Sequence, residues 1–168
     1  MMLLNPKSIL SLLCCVALFG CSTAFKTLSM SPEPPQVSYE GRGKAAGPML
    51  MGAMGPMGIA VGIAIDQGIG KDIETALMES LTENQFNLVE KVAVKYPAAK
   101  SFTINSLSFK AAPGDDDLAY VTTTITIYPS QKIVCFDSEP ALLDALKSSA
   151  AGWGLIADSL SNEVECKA

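Results

Sequence analysis

Leu118, Ala119, Tyr120, Val121, Thr122, Thr123, Thr124, Ile125, Thr126, Ile127, Tyr128 is the stretch on which the fold turns. From Val121 onward it is almost wholly β-branched, and such stiff side chains suit a pleated, half-buried surface, so a strand is predicted. Pro129, Ser130, Gln131 and Lys132 then lead into Ile133, Val134, Cys135 and Phe136, and so short a connection favours antiparallel pairing. On the upstream side, Ala111, Ala112, Pro113, Gly114, Asp115, Asp116 and Asp117 carry turn chemistry. Before that turn, Phe102 and Ile104 point one way and Leu107 and Phe109 the other. The phase change predicts a bulge near Asn105 and Ser106, or two short strands.

Further outward, Phe86, Leu88, Val92, Val94 and Tyr96 alternate against Asn87, Lys91 and Lys95, which predicts another half-buried strand ending at Pro97. The expectation is therefore a four-stranded antiparallel meander from Phe86 to Phe136. Asp66 to Asn84 reads as a helix with Ile69, Ile73, Ala76, Leu77 and Leu81 on one stripe and Asp72 or Asp66 as its cap. After the sheet, Asp137 or Ser138 and Pro140 signal a helix start, with Leu142, Leu143, Leu146 and Ala150 facing inward. Gly152 and Gly154 are expected to interrupt it around Trp153, and Leu155, Ile156, Leu160 and Val164 suggest a last short helix. The fold class is α+β, with flanking helices covering one sheet face and residues 66–168 forming the small domain.

Upstream of that domain the composition changes twice. Residues 47–65 contain no charged side chain, and the glycines and Pro56 make this apolar run a poor helix in water. Gly55, Gly58 and Gly62 fall close to one helical face, and Ala60, Ala64 and Gly68 repeat every fourth residue on a neighbouring one, a spacing that lets backbones approach closely. The segment resembles the glycine-zipper regions of some bacterial envelope lipoproteins and pore-associated proteins, and the resemblance makes those six residues candidates for an oligomer or membrane contact. Three readings compete: a membrane-inserted or oligomerising zipper, an apolar element folded onto the domain, and a hydrophobic linker. The clustered methionines are explained by adaptable packing rather than by a thioether metal site. Residues 21–46, with Pro32, Pro34, Pro35, Gly41 and Gly43, are too polar for a core and read as a flexible tether.

At the N-terminus, Lys7 precedes the apolar run from Ile9 to Phe19, a short charged region followed by an apolar run of signal-peptide length. About 20 apolar residues are needed to cross a bilayer, so processing fits better than permanent spanning. Leu18, Phe19, Gly20, Cys21 resembles the lipobox of bacterial lipoproteins, although Phe19 is bulkier than the residue usual there. The resemblance implies a signal peptide over residues 1–20, a diacylglycerol thioether on Cys21 and acylation of its amine, with palmitate among the chains. Two or more chains hold a protein stably at a membrane. Ser22, where lipoproteins retained at the inner membrane typically carry Asp, looks like an outer-membrane sorting signal, so the expected location is the cell envelope, facing the periplasm. In such a compartment Cys135 and Cys166 can pair, and the closed loop is worth roughly 3 to 4 kcal/mol in the chain-entropy account.

The chemistry is sparse. The chain has no histidine, which removes Ser-His-Asp and Cys-His triads and imidazole metal sites. Its net charge of -5, without a basic stripe, argues against nucleic acid as partner. Asp115, Asp116 and Asp117 read as a solvated hairpin tip, Thr122, Thr124 and Thr126 as a polar strand face, and Trp153 as an aromatic closing a small core. No phosphate loop is present, and no catalytic residue, metal ligand or cofactor is nominated. The expected function is that of a membrane-anchored envelope lipoprotein with a non-enzymatic structural, assembly or interaction role, and with a homo-oligomer or an envelope protein as partner. The alternative is a periplasmic binding module for a small apolar or lipid-like ligand, lined by the glycine-rich segment or Trp153.

Overall fold

The computed structural model describes residues 28–148 and 151–166. In chain order the elements are β1 (Ser29–Met30), β2 (Gln36–Glu40), α1 (Arg42–Met54), α2 (Met57–Lys95), β3 (Ser101–Ala112), β4 (Asp115–Tyr128), β5 (Lys132–Asp137), β6 (Ala141–Leu142), α3 (Leu143–Ser148), α4 (Ala151–Ser159) and β7 (Glu163–Val164). The β-branched run lies in β4, at the centre of a 7-stranded sheet. It pairs antiparallel with β3 on one side and with β5 and then β6 on the other. On the outer edges, β7 pairs antiparallel with β5, and β1 and β2 both run parallel to β3.

The α+β class stands, but the four-stranded antiparallel meander does not. The sheet is mixed, and its edges come from residues read as loop, tether or helix. Phe86 to Tyr96, expected as the first strand, continues α2 to Lys95. The reason is that Leu88 and Val92, the buried pair, are four apart and satisfy a helical stripe as well as an alternation. Phe86 and Val94 decide between the two, being 78% and 79% exposed. Pro97 lies just beyond the end of the helix.

Within β3, the ladder slips at Asn105: Ile104 pairs with Ile125 and Ser106 with Thr124. This single extra residue corrects the phase, so Phe102, Ile104, Leu107 and Phe109 all face the core. The expected tether also needs correction. Ser29–Met30 and Gln36–Glu40 form sheet edges, and α1 begins at Arg42. Val37 and Tyr39 turn inward while Gln36 and Ser38 stay exposed, a period-2 pattern that proline-rich flanks concealed. The prolines lie between β1 and β2, where the chain leaves and rejoins one edge of β3.

The helices α2, α3 and α4 cover one face of the sheet. Their buried Ile73, Leu77, Leu143, Leu146 and Ile156 meet Phe102, Phe109 and Phe136 of the strands. Gly152 and Gly154 lie within α4 and do not break it. A Cβ on Gly152 would come 2.7 Å from Leu77 Cδ2, so this glycine permits close approach of α4 to α2. Val164, expected in a last helix, belongs to β7 and lies opposite Cys135.

Candidate functional site

Outside this core, the glycine-rich segment folds into a structure of its own. Helices α1 and α2 form an antiparallel hairpin joined at Gly55 and Pro56. Gly55 has φ +63, a left-handed conformation that suits glycine. α1 packs on α2 rather than on the sheet. The seam is made by Gly43 and Gly47 of one helix and Gly58 and Gly62 of the other, all buried. A Cβ on Gly43 would overlap the Gly62 carbonyl, one on Gly62 the Gly43 carbonyl, and one on Gly58 the Leu50 backbone. Backbone therefore lies directly on backbone, as in small-residue membrane helix pairs.

The base of this arm is held by Asp66, whose side chain reaches from α2 to the start of α1. Oδ1 accepts the Gly43 N–H at 2.7 Å, while Oδ2 accepts those of Lys44 at 3.1 Å and Gly41 at 3.2 Å. Amides at a helix start have no partner within the helix, and the helix dipole favours an anion there. Asp66 was expected to cap its own helix; α2 begins at Met57, so it caps the neighbouring one instead.

Around the base, Arg42 donates from Nε to the Asp116 carbonyl at 2.9 Å and pairs with the Asp117 carboxylate. Lys44 pairs with Glu40; this hydrogen bond and charge pull the Glu40 carboxyl below its ordinary value and push the Lys44 ammonium above its own. Beneath them, burial raises the Tyr39 hydroxyl against an opposing pull from the Arg42 backbone. A groove of about 490 Å³ opens here, with Tyr39, Gly47, Pro48, Ile59 and Ile63 among its walls.

Beyond the base everything is apolar. Met49 is 82% exposed, Met57 67% and Ile63 55%, and Met51, Met54 and Ile59 are also in solvent. Of the sequence candidates, Gly58 and Gly62 lie in the seam and Gly55 in the turn, whereas Ala60, Ala64 and Gly68 face outward on α2. Their neighbours Gly43 and Gly47 are not among those candidates, and Asp66, read as a cap, caps a different helix from the one expected. The spacing of four from Gly43 to Gly47, and of four again from Gly58 through Gly62 and Asp66 to Gly70, was the available signal.

The remaining candidates are structural in their surroundings. Trp153 is buried and donates its indole N–H to the Leu77 carbonyl at 2.7 Å. Thr122 donates to Asp137 at 2.7 Å, Thr126 accepts from Asn105 at 2.8 Å, and Thr124 lies 3.6 Å from the Cys135 sulfur. These threonines stand on the open sheet face and are tied to neighbouring strands. Cys135 and Cys166 are joined in a disulfide, with Cα atoms 5.2 Å apart. Cys21 lies outside the described residues. Among the described residues, no group of three or more acidic or cysteine side chains is placed to hold a metal ion, and no helix is long and apolar enough to cross a membrane.

Comparisons with family models, curated proteins and solved structures find no match to this chain.

Proposed function

We propose that the chain is a membrane-anchored envelope lipoprotein with a non-enzymatic structural, assembly or interaction role, held by lipid on Cys21 and working through the apolar arm. The observation that carries this reading is the arm itself. A helical hairpin without a charged side chain from Ala45 to Ile65, fastened at its base by Asp66, displays large apolar residues to solvent. Contiguous exposed apolar surface on a folded protein marks a place of attachment. The test is intact mass on membrane-extracted protein, comparing wild type with Cys21→Ser. A mature chain carrying acyl groups on Cys21, and losing them in the variant, is the expected result; an unmodified mature chain overturns the lipoprotein part.

A second reading, a binding module for a small apolar ligand, draws on the groove of about 490 Å³ beside Tyr39. Native mass spectrometry of purified protein separates the two, since a binding module retains a stoichiometric apolar molecule and an attachment arm does not.

A further inference from the structure

We infer that the arm is a leaflet anchor: residues 45–65 enter the acyl-chain layer of one bilayer leaflet as a closed helical hairpin. The inference rests on the proposed membrane location but not on lipid at Cys21.

Its first ground is the absence of any polar side. From Ala45 to Ile65 every residue is Ala, Gly, Pro, Met, Leu, Ile or Val. Once the seam is closed, both helices are apolar on every other side. A protein partner covers one face of a helix and leaves the opposite face in water, where polar residues are expected; a helix apolar all round belongs in apolar surroundings. The second ground is the backbone of the tip. Hydrocarbon penalises backbone N–H and C=O groups that are not bonded internally. At the turn two N–H groups are so bonded, Gly55 to the Met51 carbonyl at 2.9 Å and Gly58 to the Gly55 carbonyl at 2.9 Å, and Pro56 has no N–H to lose, which lowers the cost of seating the tip.

Dimensions supply the third ground. From Ala45 to Met54, at about 1.5 Å per residue, the apolar part of α1 is roughly 15 Å long, half of a hydrocarbon core of about 30 Å. Finally, both helices change from apolar to charged at one level. Lys44 ends the apolar run of α1 and Asp66 that of α2, and the Asp66 carboxylate is bonded to the Gly43 and Lys44 amides. The boundary is thus level across the pair, as an interface requires. At that boundary Lys44 is paired with Glu40 and Arg42 with Asp117, so no unbalanced cationic patch calls for anionic headgroups. Insertion is driven by apolar burial and is indifferent to headgroup charge.

The experiment uses the mature chain, residues 21–168 with Cys21→Ser and so without the apolar leader, floated with neutral phosphatidylcholine vesicles at low and high salt. The protein is expected to float at both. Adding Ile59→Glu and Ile63→Glu, two exposed positions that leave the seam intact, is expected to lower the bound fraction roughly tenfold or more, because acidic side chains are costly in hydrocarbon. As a second readout, an environment-sensitive dye on Met57→Cys shifts to the blue on adding vesicles, and the same dye on Lys71→Cys does not. Flotation that survives the glutamates, flotation only with anionic vesicles, or arms that crosslink to each other with no vesicle present overturns the inference, the last in favour of a second copy as occupant. Failure here is distinguishable from failure of the lipoprotein reading. An unlipidated wild-type chain that floats keeps the arm inference alone, and a lipidated one whose Cys21→Ser form stays in solution removes it alone.

Discussion

Along α2 one helix packs in two ways. In its first part, up to Gly70, the buried residues are Gly58, Gly62, Asp66 and Gly70; in its second, from Ile73 on, they are Ile73, Leu77, Leu88 and Val92. The second part removes large side chains from water, and the area buried holds it to the sheet. Backbone contact in the first part removes little apolar area and leaves the methionines and isoleucines outside. The difference teaches that a helix contact is secured either by what it buries or by how closely it fits. The arm depends on fit, so it is sensitive to single added carbons and leaves its apolar surface free for another solvent.

The largest expected effect breaks the body. Phe109→Ala removes a fully buried ring and is expected to lower global stability by about 3 to 5 kcal/mol, measured by urea unfolding. Gly62→Val attacks the other kind of contact, forcing a side chain into the Gly43 carbonyl, at a cost of roughly 1 to 3 kcal/mol. Hydrogen exchange is expected to show faster amides over residues 43–62 with those of 73–92 unchanged; equal loss in both parts contradicts the division. Asp66→Ala strips the cap from α1 and is expected to cost about 1 to 2 kcal/mol, read as lost protection at Gly43 and Lys44. Gly68→Ala reverses the sign. This glycine faces open space, so an alanine there is expected to stabilise by about 0.5 to 1 kcal/mol in thermal melts.

The smallest effect is a pH dependence at the edge of the body. Partial burial pushes the Glu163 carboxyl up, but hydrogen bonds from the Tyr96 hydroxyl and Lys132, with the charge of Lys95 nearby, outweigh it and hold the group below its ordinary 4.5. A carboxyl lower in the folded than in the unfolded chain stabilises above the ordinary value and loses that contribution as pH falls through the lowered one. Amides of β7 are expected to lose protection first on acidification, and Glu163→Gln to flatten the profile.

The sequence made the middle of the sheet readable, because β-branched residues and short turns act locally. Leu118 to Tyr128 and Ile133 to Phe136 fall where expected, and the irregularity near Asn105 was visible as a change of parity. The edges were not legible. Strand β2 depends on pairing with a strand more than sixty residues later, and nothing local to Gln36 to Glu40 names that partner. Phe86 to Tyr96 was ambiguous because Leu88 and Val92 satisfy both periods. In the arm the spacing drew attention to Gly58 and Gly62, but an all-apolar run has no polar side from which to tell inside from outside. That their partners are Gly43 and Gly47, and that Asp66 serves the neighbouring helix, emerges only when the hairpin closes.

The continuity of α2 has a mechanical consequence. Its 39 residues, at about 1.5 Å each, make a rod of roughly 58 Å with no proline inside to act as a hinge. About a third of the rod is free of the sheet, and the rest is clamped by Ile73, Leu77, Leu88 and Val92. At its far end Lys95 donates to the Leu160 carbonyl at 2.8 Å and lies over the Phe136 ring at 4.7 Å, next to Cys135 of β5, which is bonded to Cys166 beyond β7. The free portion is a cantilever. A load applied at Met57 therefore reaches the body through one unbroken helix, so the seat of the tip bears on the direction in which the open polar face of the sheet points.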